Sequence, residues 1–281
     1  MKHEDGTLAS SRGYQLYWQA WLPDGDLRAS VQVFHGLGEH SGRYANVVDK
    51  LVPAGFAVLA HDHHGHGRSD GPRCHVRKFD DFIEDGREVA AHFAEIFPTV
   101  KDKKRFLLGH SMGSLIAFYT LLEYPGSYDG LVLSGFGTRN GSEVSGLVKA
   151  LSKVISKVAP KLAVDPKLGY DFISRDPEVV EAYHSDPLVT AGRVTARLGA
   201  ELMRVQDAVA NEAPKLDVPL LVQCGSADTA MVGHEDFAKI FKMEDYTEKV
   251  YGGLRHEVYN ELKEDREKVL SDLLAWLEAR A

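Results

Sequence analysis

Hydrophobic and polar positions alternate between two rhythms along the first half of the chain. Residues 14–21 place apolar side chains at roughly every second position and give way to Pro23-Asp24-Gly25-Asp26, which reads as a strand followed by a turn. A short β-branched run at 29–34 ends in His35-Gly36-Leu37-Gly38, and 44–52 has helical spacing that stops at Pro53. The run 55–60 reads as a strand buried on both faces. Over 79–97, Phe82, Val89, Phe93 and Phe97 fall near one side of a helix. A strand at 105–108, a helix at 115–122 ending before Pro125, and a strand at 130–134 complete this half.

Buried strands that alternate with helices imply a mostly parallel sheet covered on both faces. The alternation breaks at about 137–210, where helical patterns run through 144–158, 176–184 and 195–210 and no strand is convincing. It resumes with a strand at 219–223, a helix at 234–242, a strand at 248–251 and a last helix to Trp276. The expected architecture is α/β: a core of 1–136 and 211–281, with a helical cap, 137–210, inserted over one end of the sheet.

Composition narrows the function classes. A chain of 281 residues can bury a substantial core. A net charge of −8 argues against nucleic acid as the main partner, because binding phosphates needs a basic surface. The cysteines Cys74 and Cys224 are too few for a disulfide framework and read as small buried residues. The polar start, Met1 to Gly6, lacks the apolar core of a signal peptide, and no apolar run reaches the roughly 18 residues that span a membrane. A soluble, cytoplasmic protein is the expectation.

The chemistry centres on Gly109-His110-Ser111-Met112-Gly113, a G-x-S-x-G pattern between a predicted strand and a predicted helix. The glycines allow a tight strand-to-helix turn, which exposes Ser111 and aims N–H groups of the helix start at a developing oxyanion. A serine hydroxyl needs a base to take its proton. On such a sheet the partners follow in the order serine, acid, histidine. Asp228 closes the strand-and-turn Pro219 to Ala227, and His256 follows the last strand, which makes them the acid and the base. Asp217 and Asp236 are weaker rivals for the acid, since neither comes just after a strand.

Other chemistries leave weaker traces. The crowding of His61, His63, His64 and His66 nearly matches a paired-metal histidine motif, but Gly65 stands where a carboxylate ligand is required, so no metal is expected. The glycines of 65–71 are spaced by one residue too many for a dinucleotide loop.

Taken in order, His35-Gly36-Leu37-Gly38-Glu39-His40-Ser41-Gly42-Arg43-Tyr44, the loop 61–71, Gly109 to Gly113, Gly225-Ser226-Ala227-Asp228 and Gly252-Gly253-Leu254-Arg255-His256-Glu257 resemble the motifs of monoacylglycerol lipases and their lysophospholipase-like relatives. The resemblance runs from about residue 10 to the end of the chain. It implies an α/β-hydrolase fold, hydrolysis of a single fatty-acyl ester without a cofactor, and an oxyanion hole formed by the backbone N–H groups of Leu37 and Met112. The chain departs from the family pattern at Leu37, at Ser114, and at Thr229 to Val232. These departures leave acyl-chain length and head group open: monoacylglycerol first, lysophospholipid or a simple ester as alternatives. Cofactor-free haloperoxidases and carbon–carbon hydrolases of the same fold share the Ser-Asp-His set.

Within the cap, Val144, Leu147, Val148, Leu151, Val154, Ile155 and Val158 recur on one helical face, and Lys149, Lys153, Lys157 and Lys161 lie opposite. In an acidic chain this local reversal of charge suggests peripheral contact with a membrane surface. No protein partner is implied.

Overall fold

The computed structural model describes residues 1–140, 152, 154–164, 170–190 and 193–281. One eight-stranded sheet organises them: β1 (Lys2–Ala9), β2 (Gln15–Leu22), β3 (Ala29–Phe34), β4 (Phe56–His61), β5 (Lys104–His110), β6 (Gly130–Ser134), β7 (Leu220–Gly225) and β8 (Tyr246–Tyr251). The spatial order is β1-β2-β4-β3-β5-β6-β7-β8. The β1–β2 and β2–β4 pairs are antiparallel and the rest are parallel. The mostly parallel sheet is the one the alternating pattern led us to expect, and its order agrees with the α/β-hydrolase fold that the resemblance implies.

Side chains of successive strand residues point to opposite faces, and the strands are apolar on both. Leu107, Leu131, Leu133 and Val222 pack on one side, with α2 (Asp80–Ile96) and α3 (Met112–Glu123). Phe106, Leu108, Val132 and Leu221 pack on the other, with α1 (Ala45–Leu51) and α6 (Lys263–Glu278). β5 lies mid-sheet, with Gly109 opposite Phe34 on β3 and Leu133 on β6. Whatever follows His110 therefore emerges at the centre of the sheet's carboxyl edge, where open α/β sheets bind ligands.

Between β6 and β7 lie α4 (Pro177–Ser185) and α5 (Ala196–Glu212). Thr195 caps α5 by accepting from the Leu198 N–H at 3.3 Å, and Asp176 caps α4 by accepting from the Glu178 N–H at 3.0 Å. Leu198, Val205 and Val209 of α5 belong to the same apolar cluster as α3, and the helix runs to Glu212, past the expected boundary at 210.

The structure corrects the sequence reading at three places. β1 was not expected, because its inward positions are Glu4, Gly6 and Leu8 rather than an apolar series. The region 137–210 is not free of strand: Arg139–Asn140 pairs with Met231–Val232, and Ala163–Val164 pairs with Val194–Thr195. These ladders are too short to leave a period in the sequence. The helix expected at 234–242 shrinks to a 3-10 turn at His234–Asp236 and a single turn at Phe237–Ile240, because Phe241 turns to extended backbone and buries beside Phe237.

Candidate active site

Ser111 stands between the end of β5 and the start of α3 with φ 53° and ψ −119°. A positive φ is strained for a residue with a side chain, at a cost of about 1–3 kcal/mol. The surroundings hold it there. The Ser111 N–H donates to Ser134 O at 2.9 Å, and Ser114 Oγ donates to Ser111 O at 2.5 Å. The flanking glycines are required by close approach. A Cβ on Gly113 would lie 2.1 Å from Phe34 O, and one on Gly109 would lie 2.3 Å from Gly113 O.

Asp228 follows β7 in a turn closed by its own N–H to Gly225 O at 3.2 Å. Its Oδ1 accepts from the N–H groups of Ala230 (2.8 Å) and Met231 (3.0 Å), and its Oδ2 accepts from His256 Nδ1 at 2.7 Å. Burial alone would raise the Asp228 carboxyl, but the imidazole and the two N–H groups outweigh it and hold the carboxyl below its ordinary value. Burial likewise pushes His256 down, yet Asp228, with Glu257 and Glu39 beyond, raises it above the ordinary histidine value. With the proton on Nδ1, Nε2 is the basic nitrogen. The His256 loop is pinned from above: the N–H groups of His256 and Glu257 donate to Phe172 O (3.1 Å) and Ile173 O (2.9 Å).

Ser111 and His256 line one cavity of about 180 Å³, together with Leu37, Met112, Leu115, Tyr183, Val194, Leu202, Gln206 and Met231; Asp228 lies behind the imidazole. Leu37 and Met112, whose N–H groups were the expected oxyanion donors, both border this space, and neither N–H has an acceptor among the described residues. The strand-to-loop backbone is close to the serine, since a Cβ on Gly36 would lie 3.3 Å from Ser111 Cβ. The five residues named from the sequence thus converge on one end of the sheet.

Comparison with known proteins places this arrangement. The Hydrolase_4 family, described as serine aminopeptidase, S33, matches residues 25–263. A monoacylglycerol lipase of Mycolicibacterium smegmatis is 39% identical over 96% of this chain and 95% of its own length. The human monoglyceride lipase is 35% identical over 97% of this chain and 90% of its own. The chain belongs to the monoacylglycerol lipase-like α/β-hydrolases. The monoacylglycerol lipase structure from Paleococcus ferrophilus, 29% identical, superposes with a TM-score of 0.84 over 95% of this chain and 99% of the other. As a member of this family the protein is a carboxylic-ester hydrolase.

Motif residues with no role assigned from the sequence form an ion network in the enzyme. Arg43 donates to Glu39 Oε2 at 2.8 Å and, through both terminal nitrogens, to Glu257 at 2.7 and 2.8 Å. Its guanidinium lies 4.5 Å from the centre of the Tyr183 ring. Glu39 Oε1 in turn accepts from the Gly36 N–H at 2.6 Å and from Tyr44 at 2.9 Å. One buried cation therefore joins the loop that carries Leu37, the loop that carries His256, and α4. Burial alone would raise Glu39, but Arg43 and the nearby histidines bring it down to about 2. Glu39 and Arg43 stand in one motif quoted for its resemblance and Glu257 in another, far away in sequence, and no local spacing predicts that pairing.

The crowded histidines form a buried framework under the same end. His63 N–H donates to His35 Nε2 at 2.9 Å, His35 Nδ1 donates to Gly36 O at 2.8 Å, and His66 Nδ1 donates to His64 O at 3.1 Å. His64 pairs with Asp85, and among the described residues both ring nitrogens of His61 and of His63 are buried without a hydrogen-bond partner. Among the described residues, no group of three or more His, Cys, Asp or Glu is placed to hold a metal. Cys74 and Cys224 are free and buried.

Proposed function

We propose that the enzyme hydrolyses monoacylglycerols to fatty acid and glycerol through an acyl-enzyme on Ser111. One observation carries the reading: the Asp228–His256 pair and the strained Ser111 meet at a cavity with an apolar and a charged end. His256 Nε2 takes the proton of Ser111 as Oγ attacks the ester carbonyl, while Asp228 holds the imidazole tautomer and stabilises the imidazolium. The Leu37 and Met112 N–H groups take the oxyanion, each such donor being worth about 2.7–4 kcal/mol. His256 returns the proton to the departing alcohol, and water repeats the sequence to release the acid. Residues 137–210 act as the cap that contributes the upper wall.

The charged end favours a neutral alcohol. Glu39 and Glu257 line it, while Arg43 lies outside the lining and is already bidentate on Glu257, so a lysophospholipid phosphate would meet carboxylates rather than a free cation. Hydrolysis of a matched panel of monoacylglycerols, lysophospholipids and p-nitrophenyl esters, with fluorophosphonate labelling, tests the whole. Labelling that is lost in Ser111→Ala, with monoacylglycerol the best substrate, is expected. Labelling that survives Ser111→Ala overturns the mechanism, and a preference for the lysophospholipid overturns the substrate.

The cap also carries a surface suited to lipid. Val154, Val158 and Leu162 are 57%, 81% and 51% exposed, with Lys157 and Lys161 exposed beside them. Ile155 of the expected stripe is half-buried, and Val144, Leu147, Val148 and Leu151, with Lys149 and Lys153 of the opposite face, lie outside the described residues. No described helix is long and apolar enough to cross a membrane. Peripheral contact through this face predicts co-sedimentation with anionic vesicles that weakens when the four lysines become glutamine; unchanged binding overturns it.

A further inference from the structure

His35, just after β3, is a wholly buried ring that lies outside the cavity lining and takes no part in the proton transfers described above. Both of its nitrogens are engaged. Nε2 accepts from the His63 N–H at 2.9 Å, which puts the proton of the ring on Nδ1, and Nδ1 donates to Gly36 O at 2.8 Å. Burial holds the ring below the ordinary histidine value, so at pH 7 it is neutral and carries that one N–H. Gly36 O belongs to the same peptide group as the Leu37 N–H. That group is planar and trans, so its C=O and its N–H point in opposite directions. Glu39 holds the peptide before it through the Gly36 N–H, whereas His35 touches the 36–37 peptide itself.

We propose that His35 is a positioning residue: by holding Gly36 O on the buried side, it aims the Leu37 N–H into the cavity, where the oxyanion of the tetrahedral intermediate forms. Gly36 and Leu37 both line the cavity and the ring does not, so a C=O turned to the ring turns the N–H to the open side. A hydrogen bond on the carbonyl also polarises the peptide and strengthens its N–H as a donor. The histidine-rich loop 61–66 gains a part in the reaction, since its His63 N–H selects the tautomer of His35 that can donate. This inference rests on the acyl-enzyme reading given above, with the Leu37 N–H as an oxyanion donor.

The test uses the intact enzyme, a short and a long acyl ester, and a trifluoromethyl ketone, whose adduct with a serine carries an oxyanion. His35→Leu removes the donor; His35→Asn can set an amide N–H where Nδ1–H stands. In His35→Leu, kcat per fluorophosphonate-labelled site is expected to fall by about 10–100-fold, short of the roughly 10²–10³-fold cost of deleting a donor. The loss should be the same for both esters, with KM unchanged, and the ketone should bind more weakly by a similar factor. His35→Asn should recover most of both. A merely structural role would lower the melting temperature and the fraction of labelled sites, yet leave kcat per site and ketone affinity unchanged. That result, a loss confined to the long ester, or an equal loss in His35→Asn and His35→Leu each overturn the proposal. Wild-type enzyme gives a reading even if neither variant folds: nitrogen NMR of the histidines should find the His35 proton on Nδ1, and a proton on Nε2 overturns the proposal. Those outcomes leave the acyl-enzyme reading standing. Activity that survives Ser111→Ala overturns that reading itself, and this proposal with it.

Discussion

Asp228 Oδ2 accepts the Nδ1–H of His256 across 2.7 Å, while the other oxygen of the same carboxylate is held by two backbone N–H groups. Every lone pair that matters is engaged, so the carboxylate cannot turn away from the imidazole. Asp228→Asn is expected to keep the fold, because an amide oxygen can still accept from Ala230 and Met231. It then presents the wrong partner to Nδ1. The kcat is expected to fall by about 10³–10⁴-fold, with an unchanged melting profile. Only neutral His256 can act as base, so kcat/KM falls as pH drops through its pKa. That limb should lie above the ordinary value of about 6.5 and shift downward in Asp228→Asn, where burial acts without the carboxylate. A limb that does not move would remove Asp228 from this role.

The elbow glycines predict a sharp contrast. In Gly113→Ala the new methyl would sit 2.1 Å from Phe34 O and 2.6 Å from His35 O, both backbone atoms that cannot step aside alone. Separation of α3 from β3 is expected, with a loss of at least about 3 kcal/mol in urea unfolding. Gly252→Ala, with nothing within 4 Å of the new carbon, should melt within a degree or two of the wild type. Equal stability in the two variants would contradict the packing at the elbow.

The central strands were legible because both faces are buried: residues 55–60 are apolar without interruption, 29–34 and 130–134 are broken only by Ser30, Gln32 and Ser134, and burial on both sides is what a crossover-connected parallel sheet demands. Ser111 and Asp228 were legible because each follows such a strand, and His256 because it follows the last strand of the alternation, β8. β1 was not, since an edge strand needs one good face at most, and here Gly6 is set against the Trp18 ring, where a Cβ would come within 2.8 Å. The burial of Gln206 and the pairing of Glu257 with Arg43 were not legible for a different reason. Each looks like an ordinary polar residue of a helix or loop, and only the long-range fold buries it.

Arg43 stands between two carboxylates, with its side chain 10% exposed and those of Glu39 and Glu257 5% and 7%. Removing a buried cation leaves charges that neither water nor protein neutralises. Arg43→Met is expected to cost about 3–5 kcal/mol in chemical denaturation. Adding Glu39→Gln and Glu257→Gln to it should recover most of that loss, because the stranded charge is gone. If the triple variant is no more stable than Arg43→Met, the penalty comes from packing on Tyr183 rather than from charge.

The histidines under the site make stability pH-dependent in a direction set by burial. Desolvation pushes His61 and His110 to about 4 and His66 to about 3, and holds His35 and His63 below their ordinary value. At neutral pH these rings are uncharged whether the chain is folded or not. As the pH falls below about 6.5, the unfolded chain takes up protons first and is favoured, so each ring removes up to about 1.4 kcal/mol per pH unit until its folded pKa is reached. His256, raised by Asp228, works in the opposite sense: its contribution is complete below the unfolded value and is lost as the pH rises through the folded one. Urea midpoints are therefore expected to fall steadily from pH 7 to pH 5. His61→Leu removes one depressed ring whose nitrogens have no hydrogen-bond partner among the described residues, and it should flatten that slope at little cost at pH 7. Parallel slopes for His61→Leu and wild type would mean that the acid sensitivity arises elsewhere.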